Sequence, residues 1–172
     1  LIVIAEFSQA TQAETDMQVN EVYKALQYVT REVSLITEPS LIQSVWAIRR
    51  SSFRVMRDAT YDNPHKRAVP CIEDIIVPID RFDVFVPALM SILKKYNIEY
   101  GFHGHIGDGA LRIIPVFDFS DKKKALTLIE VIMTEVFMLI KKLKGNSSAD
   151  HGDGLIRTPF LREFYGEALY QG

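Results

Sequence analysis

The sequence predicts an α+β fold: an antiparallel sheet with helices packed on one face. Three observations predict it. Apolar runs of strand length, rich in β-branched residues, occur at Cys71–Val77, Ile98–His105 and Ala110–Phe117. Two of them are separated only by Ile106-Gly-Asp-Gly109, whose residues tolerate the positive φ of a tight reversal and so make a hairpin. Stretches of helical period, Asp80–Tyr96 and Ser120–Lys144, stand between the strands. The element order β-α-(β)-α-β-α-β-β-α-β-α mixes a hairpin with helical crossovers, in ferredoxin-like style.

Taken in order, Leu1–Phe7 is an apolar run typical of a buried strand. From Thr11 to about Val33 the apolar positions approximate helical spacing, with Glu14 and Asp16 near the positive end of the helix dipole. Leu35-Ile-Thr37 reads as a short strand. Glu38-Pro-Ser opens a helix, with Pro39 in its first turn, that runs to Arg57-Asp58. Ala59–Arg67 is polar, and Asn63-Pro64 marks a loop. Pro70 and Pro78 bound the strand Cys71–Val77, and Asp80–Tyr96 buries Phe82, Val84, Phe85, Leu89, Ile92 and Leu93. Ser120-Asp121 caps the long helix and Gly145 stops it. Ser147–Asp150 is a final short strand, and Thr158-Pro-Phe begins the last helix.

With 172 residues the chain fits one domain with a real core. A formal net charge of −2 argues against a general binder of nucleic acid, which needs a basic surface. The lone Cys71 has no partner for an internal disulfide, which points to a reducing compartment. Glu130, Thr134 and Glu135 interrupt the longest apolar helix, so it is no membrane span. Residue 1 is not Met and both ends read as elements under way, so a longer polypeptide is expected.

Chemistry concentrates in two segments. The hairpin carries His103 and His105 on one strand face, Asp108 in the turn and Arg112 on the way out, which brings His105 near Arg112. Asp150-His151-Gly-Asp-Gly154 sets a carboxylate beside a histidine, followed by glycines that let backbone approach a ligand. Arg49, on a helix, has the fork geometry to clamp a carboxylate. The residues alone leave three readings open: an enzyme, a metal hydrolase using His103, His105 and Asp150, or a non-catalytic ferredoxin-like module for ligand binding or oligomerisation. Arg112 weighs against the hydrolase.

The ordered set Trp46-x-x-Arg49, Glu73-Asp74-Ile-Ile-Val-Pro78, Gly104-His-Ile-Gly-Asp-Gly-Ala-Leu-Arg112 and Asp150-His-Gly-Asp-Gly-Leu-Ile-Arg-Thr-Pro159 resembles the C-terminal domain of FAD-linked oxidases. That group contains D-lactate dehydrogenase, D-2-hydroxyglutarate dehydrogenase and the glycolate oxidase flavoprotein subunit, within the vanillyl-alcohol-oxidase-type flavoproteins. The resemblance implies that residues 1–172 are the cap, or substrate, domain, with FAD held mainly by an N-terminal domain absent from this chain. It implies oxidation of a small 2-hydroxy acid of the D-lactate, glycolate or 2-hydroxyglutarate class by hydride transfer to flavin, the fragment alone being inactive.

By matching positions, Arg49 holds the substrate carboxylate, and His151 is the base that removes the hydroxyl proton. His105, Gly107, Asp108, Gly109 and His151 lie near the flavin, with Arg112 and His105 also at the substrate. His105 and Asp150 fall at a divalent-metal position. Metal-dependent members show Gly-His-x-Gly-Asp-Gly-Asn-x-His there; this chain has Ala110 for the Asn and Arg112 for the second His. Asp150 also stands for the usual glutamate. A guanidinium has no lone pair to donate, so no resident metal is expected. Arg112 instead puts a fixed positive charge there, paired with Asp150 or an anionic substrate. The electrons would pass to an iron–sulfur partner, a quinone, a cytochrome or oxygen, among which the sequence does not choose, in the cytoplasm or at the inner face of the membrane.

Overall fold

The computed structural model describes residues 2–171. The chain folds as two compact units, 1–49 and 50–172.

The first unit holds helix α1 (Gln12–Gln27) and the first half of α2 (Pro39–Ala59). Thr11 and Glu14 close a capping box on α1: the Glu14 amide donates to Thr11 Oγ1 at 3.3 Å and the Thr11 amide to Glu14 Oε2 at 3.0 Å. The helix ends at Gln27 rather than near Val33, where a turn folds the Val29 and Thr30 amides onto the Leu26 carbonyl. Two expected strands are absent. Ile2–Phe7 and Leu35–Thr37 form no strand, and no strand of the sheet pairs with either. Leu1 lies outside the described residues. None of the described residues of this unit is buried.

The second unit is built on a four-stranded antiparallel sheet. Its strands are β1 (Lys66–Ala68), β2 (Ile72–Ile76), β3 (Glu99–His105) and β4 (Ala110–Asp118). β4 is central. It pairs along one edge with all of β3, and along the other with β1 and β2 laid end to end. β1 falls in the segment whose polar residues read as loop; a short edge strand tolerates Lys66 and Arg67 because its outer side faces water.

Helices α3 (Phe82–Lys95) and α4 (Lys122–Lys142) pack on one face of this sheet. Phe85, Leu89 and Leu93 of α3 and Ile132, Val136, Phe137 and Ile140 of α4 meet Ile72, Ile75, Leu111, Ile113 and Phe117 from the strands. Val84, expected inside, is 52% exposed: it stands one position off the buried row. Glu135 of α4 joins the two helices, accepting from Lys95 Nζ at 2.7 Å and from the Tyr96 hydroxyl.

The hairpin turn is a 3-10 turn, Ile106–Asp108, closed by Gly109 at φ 74°. A side chain at Gly109 would put its Cβ 2.2 Å from the Val77 carbonyl, while the Val77 amide donates to the Gly109 carbonyl at 3.0 Å. The turn is thereby fixed to the end of β2.

Beyond α4 the expected strand Ser147–Asp150 does not form. Asn146 makes one bridge with Ile76, and the amides that would continue it go elsewhere, as described below. The chain ends in α5 (Gly154–Arg157), a 3-10 turn at Thr158–Phe160 and α6 (Leu161–Tyr170). Phe160 and Phe164 anchor this segment on the Phe137 ring, at centroid distances of 4.7 and 6.2 Å.

Candidate functional site

The site grows from an irregularity in β2. The register between Ile72 and Ile75 slips, and Asp74 sits at φ 62°, a left-handed conformation rare for a non-glycine residue. The bulge buries its carboxylate, which is 1% exposed by residue. There it gathers the loop that follows α4. Ser148 Oγ donates to Asp74 Oδ2 at 2.8 Å, the His151 amide to Oδ2 at 2.9 Å and the Asp150 amide to Oδ1 at 3.2 Å. The Ala149 amide donates to the Asp74 backbone carbonyl at 2.7 Å. Burial pushes the Asp74 carboxyl up, but the Asp150 carboxyl, the His151 amide, Ser148 and the Asp150 amide outweigh it and hold it down at about 2.

Two arginines balance the buried charge: Arg157 Nη2 lies 3.7 Å from Asp74 Oδ2 and Arg112 Nη2 4.0 Å from Oδ1. Arg112 projects from the sheet face opposite α3 and α4, since its neighbours Leu111 and Ile113 belong to the core. Its Nη2 donates to Asp150 Oδ1 at 3.0 Å and lies 3.0 Å from His151 Nε2. A guanidinium only donates, so this contact is a hydrogen bond with the lone pair of His151 Nε2 facing Arg112. Arg112 is mostly buried, with 16% of its side chain exposed, whereas Asp150 and His151 are 60% and 51% exposed. The result is a cation held from below and two acceptors presented to solvent.

The expected residues divide accordingly. Arg112, Asp150 and His151 meet. The cross-strand partner of Arg112 is His103 and not the expected His105, which pairs with Ala110 two positions further along and is exposed at the strand end. Gly107 and Asp108 are exposed in the turn, and Gly109 is buried beneath it. Arg49 lies half-buried on α2 in the first unit. Cys71 is wholly buried, and burial pushes its thiol up to about 12, so it is unreactive.

Asp74 and Arg157 do not stand out in the sequence, although both belong to the family-like motifs. The available signal was a charge inside each of two apolar runs, Ile72–Val77 and Leu155–Phe160; such charges are seldom buried unpaired.

Asp74, Asp150 and His151 bring donor atoms within 4.8 Å of one another, the one group of metal-ligand type among the described residues, and His105 is outside it. Its donors are already engaged by amides, a hydroxyl and the two guanidiniums. A second cation would have to displace Arg112 against charge repulsion.

The family profile described as FAD linked oxidases, C-terminal domain, matches residues 1–171. The chain belongs to this family. The D-2-hydroxyglutarate dehydrogenase of Haemophilus influenzae is similar at 27% identity over 129 residues, 75% of this chain and 12% of the relative. That of Pseudomonas putida is 32% identical over 101 residues, 59% of this chain and 10% of the relative. The GlcD subunit of glycolate oxidase from Bacillus subtilis is 31% identical over 90 residues, 52% of this chain and 19% of the relative. The chain thus spans less than a fifth of the length of these curated relatives. Among its described residues no helix is long and apolar enough to cross a membrane.

Proposed function

We propose that this chain is the substrate-facing cap domain of an FAD-dependent oxidoreductase that oxidises a small 2-hydroxy acid to the 2-oxo acid. The observation that supports it most is the contact of Arg112 with both Asp150 and His151 at 3.0 Å, within the family's characteristic segments. The names of the relatives point to the substrate class.

When bound, FAD supplies the acceptor for the hydride from the substrate's C2, and another domain of the longer polypeptide holds most of it. The fit on this side is an open one: a half-exposed polar pair, followed a few residues on in the sequence by Leu155 and Ile156, which are 96% and 45% exposed. The remaining work falls to side chains of this chain. His151 Nε2, whose lone pair rests against Arg112, takes the hydroxyl proton once the negative charge of the substrate draws that guanidinium N–H from it. Arg112 places a permanent positive charge beside the developing alkoxide, and Asp150 and Asp74 keep the guanidinium in place. That fixed charge would stand in for the divalent ion that the resemblance places here in metal-dependent members.

The test uses the full-length, flavin-loaded protein after chelator treatment, mixed anaerobically with D-lactate, glycolate or D-2-hydroxyglutarate. Bleaching of the flavin absorbance by one of them, undiminished by the chelator, is the expected result. No bleaching by any before chelation would overturn the assignment. Bleaching lost on chelation and restored by zinc or manganese would overturn the role of Arg112.

A further inference from the structure

Residues 147–153 form no helix or strand, yet they carry both exposed members of the site. Something must hold them. Arg157, in α5, is 4% exposed and reaches back under this loop. Its Nη1 donates to the Glu73 carbonyl and its Nη2 to the Gly152 carbonyl, while Nε donates to the Asp153 carbonyl at 3.1 Å. With Asp74 Oδ2 at 3.7 Å, one guanidinium ties the β2 bulge to the loop just beyond His151. Ser148 closes the ring from the other side: it donates to Asp74 and accepts from the Gly152 amide at 2.9 Å. The strained φ of 62° at Asp74 is what aims its carboxylate into this ring.

We propose that Arg157, acting with Asp74, is a positioning residue that sets the Asp150–Gly152 backbone so that His151 Nε2 and Asp150 meet Arg112. Arg157 itself bonds to backbone carbonyls and faces Asp74, so its influence on the chemistry passes through the loop. Three carbonyls pointing from three directions need a planar fork of several donors. A lysine carries the same charge but a single nitrogen, and cannot span them. The proposal rests on His151 being the base, and the experiment separates the two ideas.

The full-length, flavin-loaded protein is prepared as Arg157→Lys, as Ser148→Ala and as His151→Asn, with each of the first two also combined with the third. The maximal rate of flavin reduction is read for all. Arg157→Lys is expected to lower it about 10- to 100-fold and Ser148→Ala about 3- to 10-fold, with flavin content and KM little changed. On the His151→Asn background each costs less than about twofold, because the residue to be positioned is gone. Equal losses on both backgrounds, or no loss in the single variants, would overturn the proposal. Should Arg157→Lys fail to fold, the Ser148→Ala pair carries the same comparison. Should His151→Asn alone keep the full rate, the base assignment fails. The clamp is then judged by a crystal structure of a clamp variant, in which the 3.0 Å contact of His151 with Arg112 must be lost.

Discussion

Asp74 is the residue on which the site depends, and it was hidden for a definite reason. A strict alternation along Ile72–Ile76 puts residue 74 on the same face as its isoleucine neighbours, where a carboxylate makes no sense. The bulge breaks that alternation, and a bulge leaves little trace in a sequence. Arg112 was easier to find because it stands where a hydrogen-bonding or ligating residue belongs in the hairpin pattern, and a guanidinium admits few roles. Asp74 also gives the fold a defined acid response. Its carboxyl is held at about 2 in the fold against an ordinary 3.8. A depressed value adds stability above the unfolded pKa, so Asp74 stabilises the fold at neutral pH, and that contribution is lost as pH falls from near 4 toward 2. Replacing it removes the partner of two buried cations, and Asp74→Asn is expected to cost about 3–5 kcal/mol at neutral pH. Urea unfolding of both proteins across this range checks the sign: the difference should narrow as the acid limb is entered. A gap that stays constant from pH 7 to pH 2 would contradict it.

At the level of elements, the hairpin and the two core helices were legible, because periodicity and capping residues act locally. Asp121 caps α4, its side chain accepting from the Lys124 amide at 3.0 Å. What periodicity could not tell was pairing. Ile2–Phe7 has strand composition but pairs with no strand of the sheet, and Ser147–Asp150 gives its Asp150 amide to the Asp74 carboxylate, 76 residues away in sequence, and its Ala149 amide to the Asp74 carbonyl. β1 went the other way, a charged segment made into a strand by the free edge of β4. The hairpin turn must stay glycine at 109. Gly109→Ala would strain φ 74° and drive a Cβ into the Val77 carbonyl, so a loss of more than about 1 kcal/mol is expected in chemical unfolding, with faster amide exchange at Val77. An unchanged midpoint would show that the turn can reshape and does not fix the hairpin to β2.

For the whole molecule, the division of labour follows from where apolar surface is buried. The second unit supplies a core between sheet and helices and a site held by one buried carboxylate and two arginines. The first unit supplies helices with no buried residue among those described. The family match covers both, and its relatives are several times longer than this chain. The oxidoreductase reading is a proposal for the complete polypeptide, in which this chain would contribute the base and the fixed charge. The most direct measurement is the rate of flavin reduction in full-length His151→Asn with the flavin still bound. The account predicts a fall of about 10²- to 10⁴-fold at saturating hydroxy acid, the usual worth of a general base. A rate near that of the unmodified protein would contradict it.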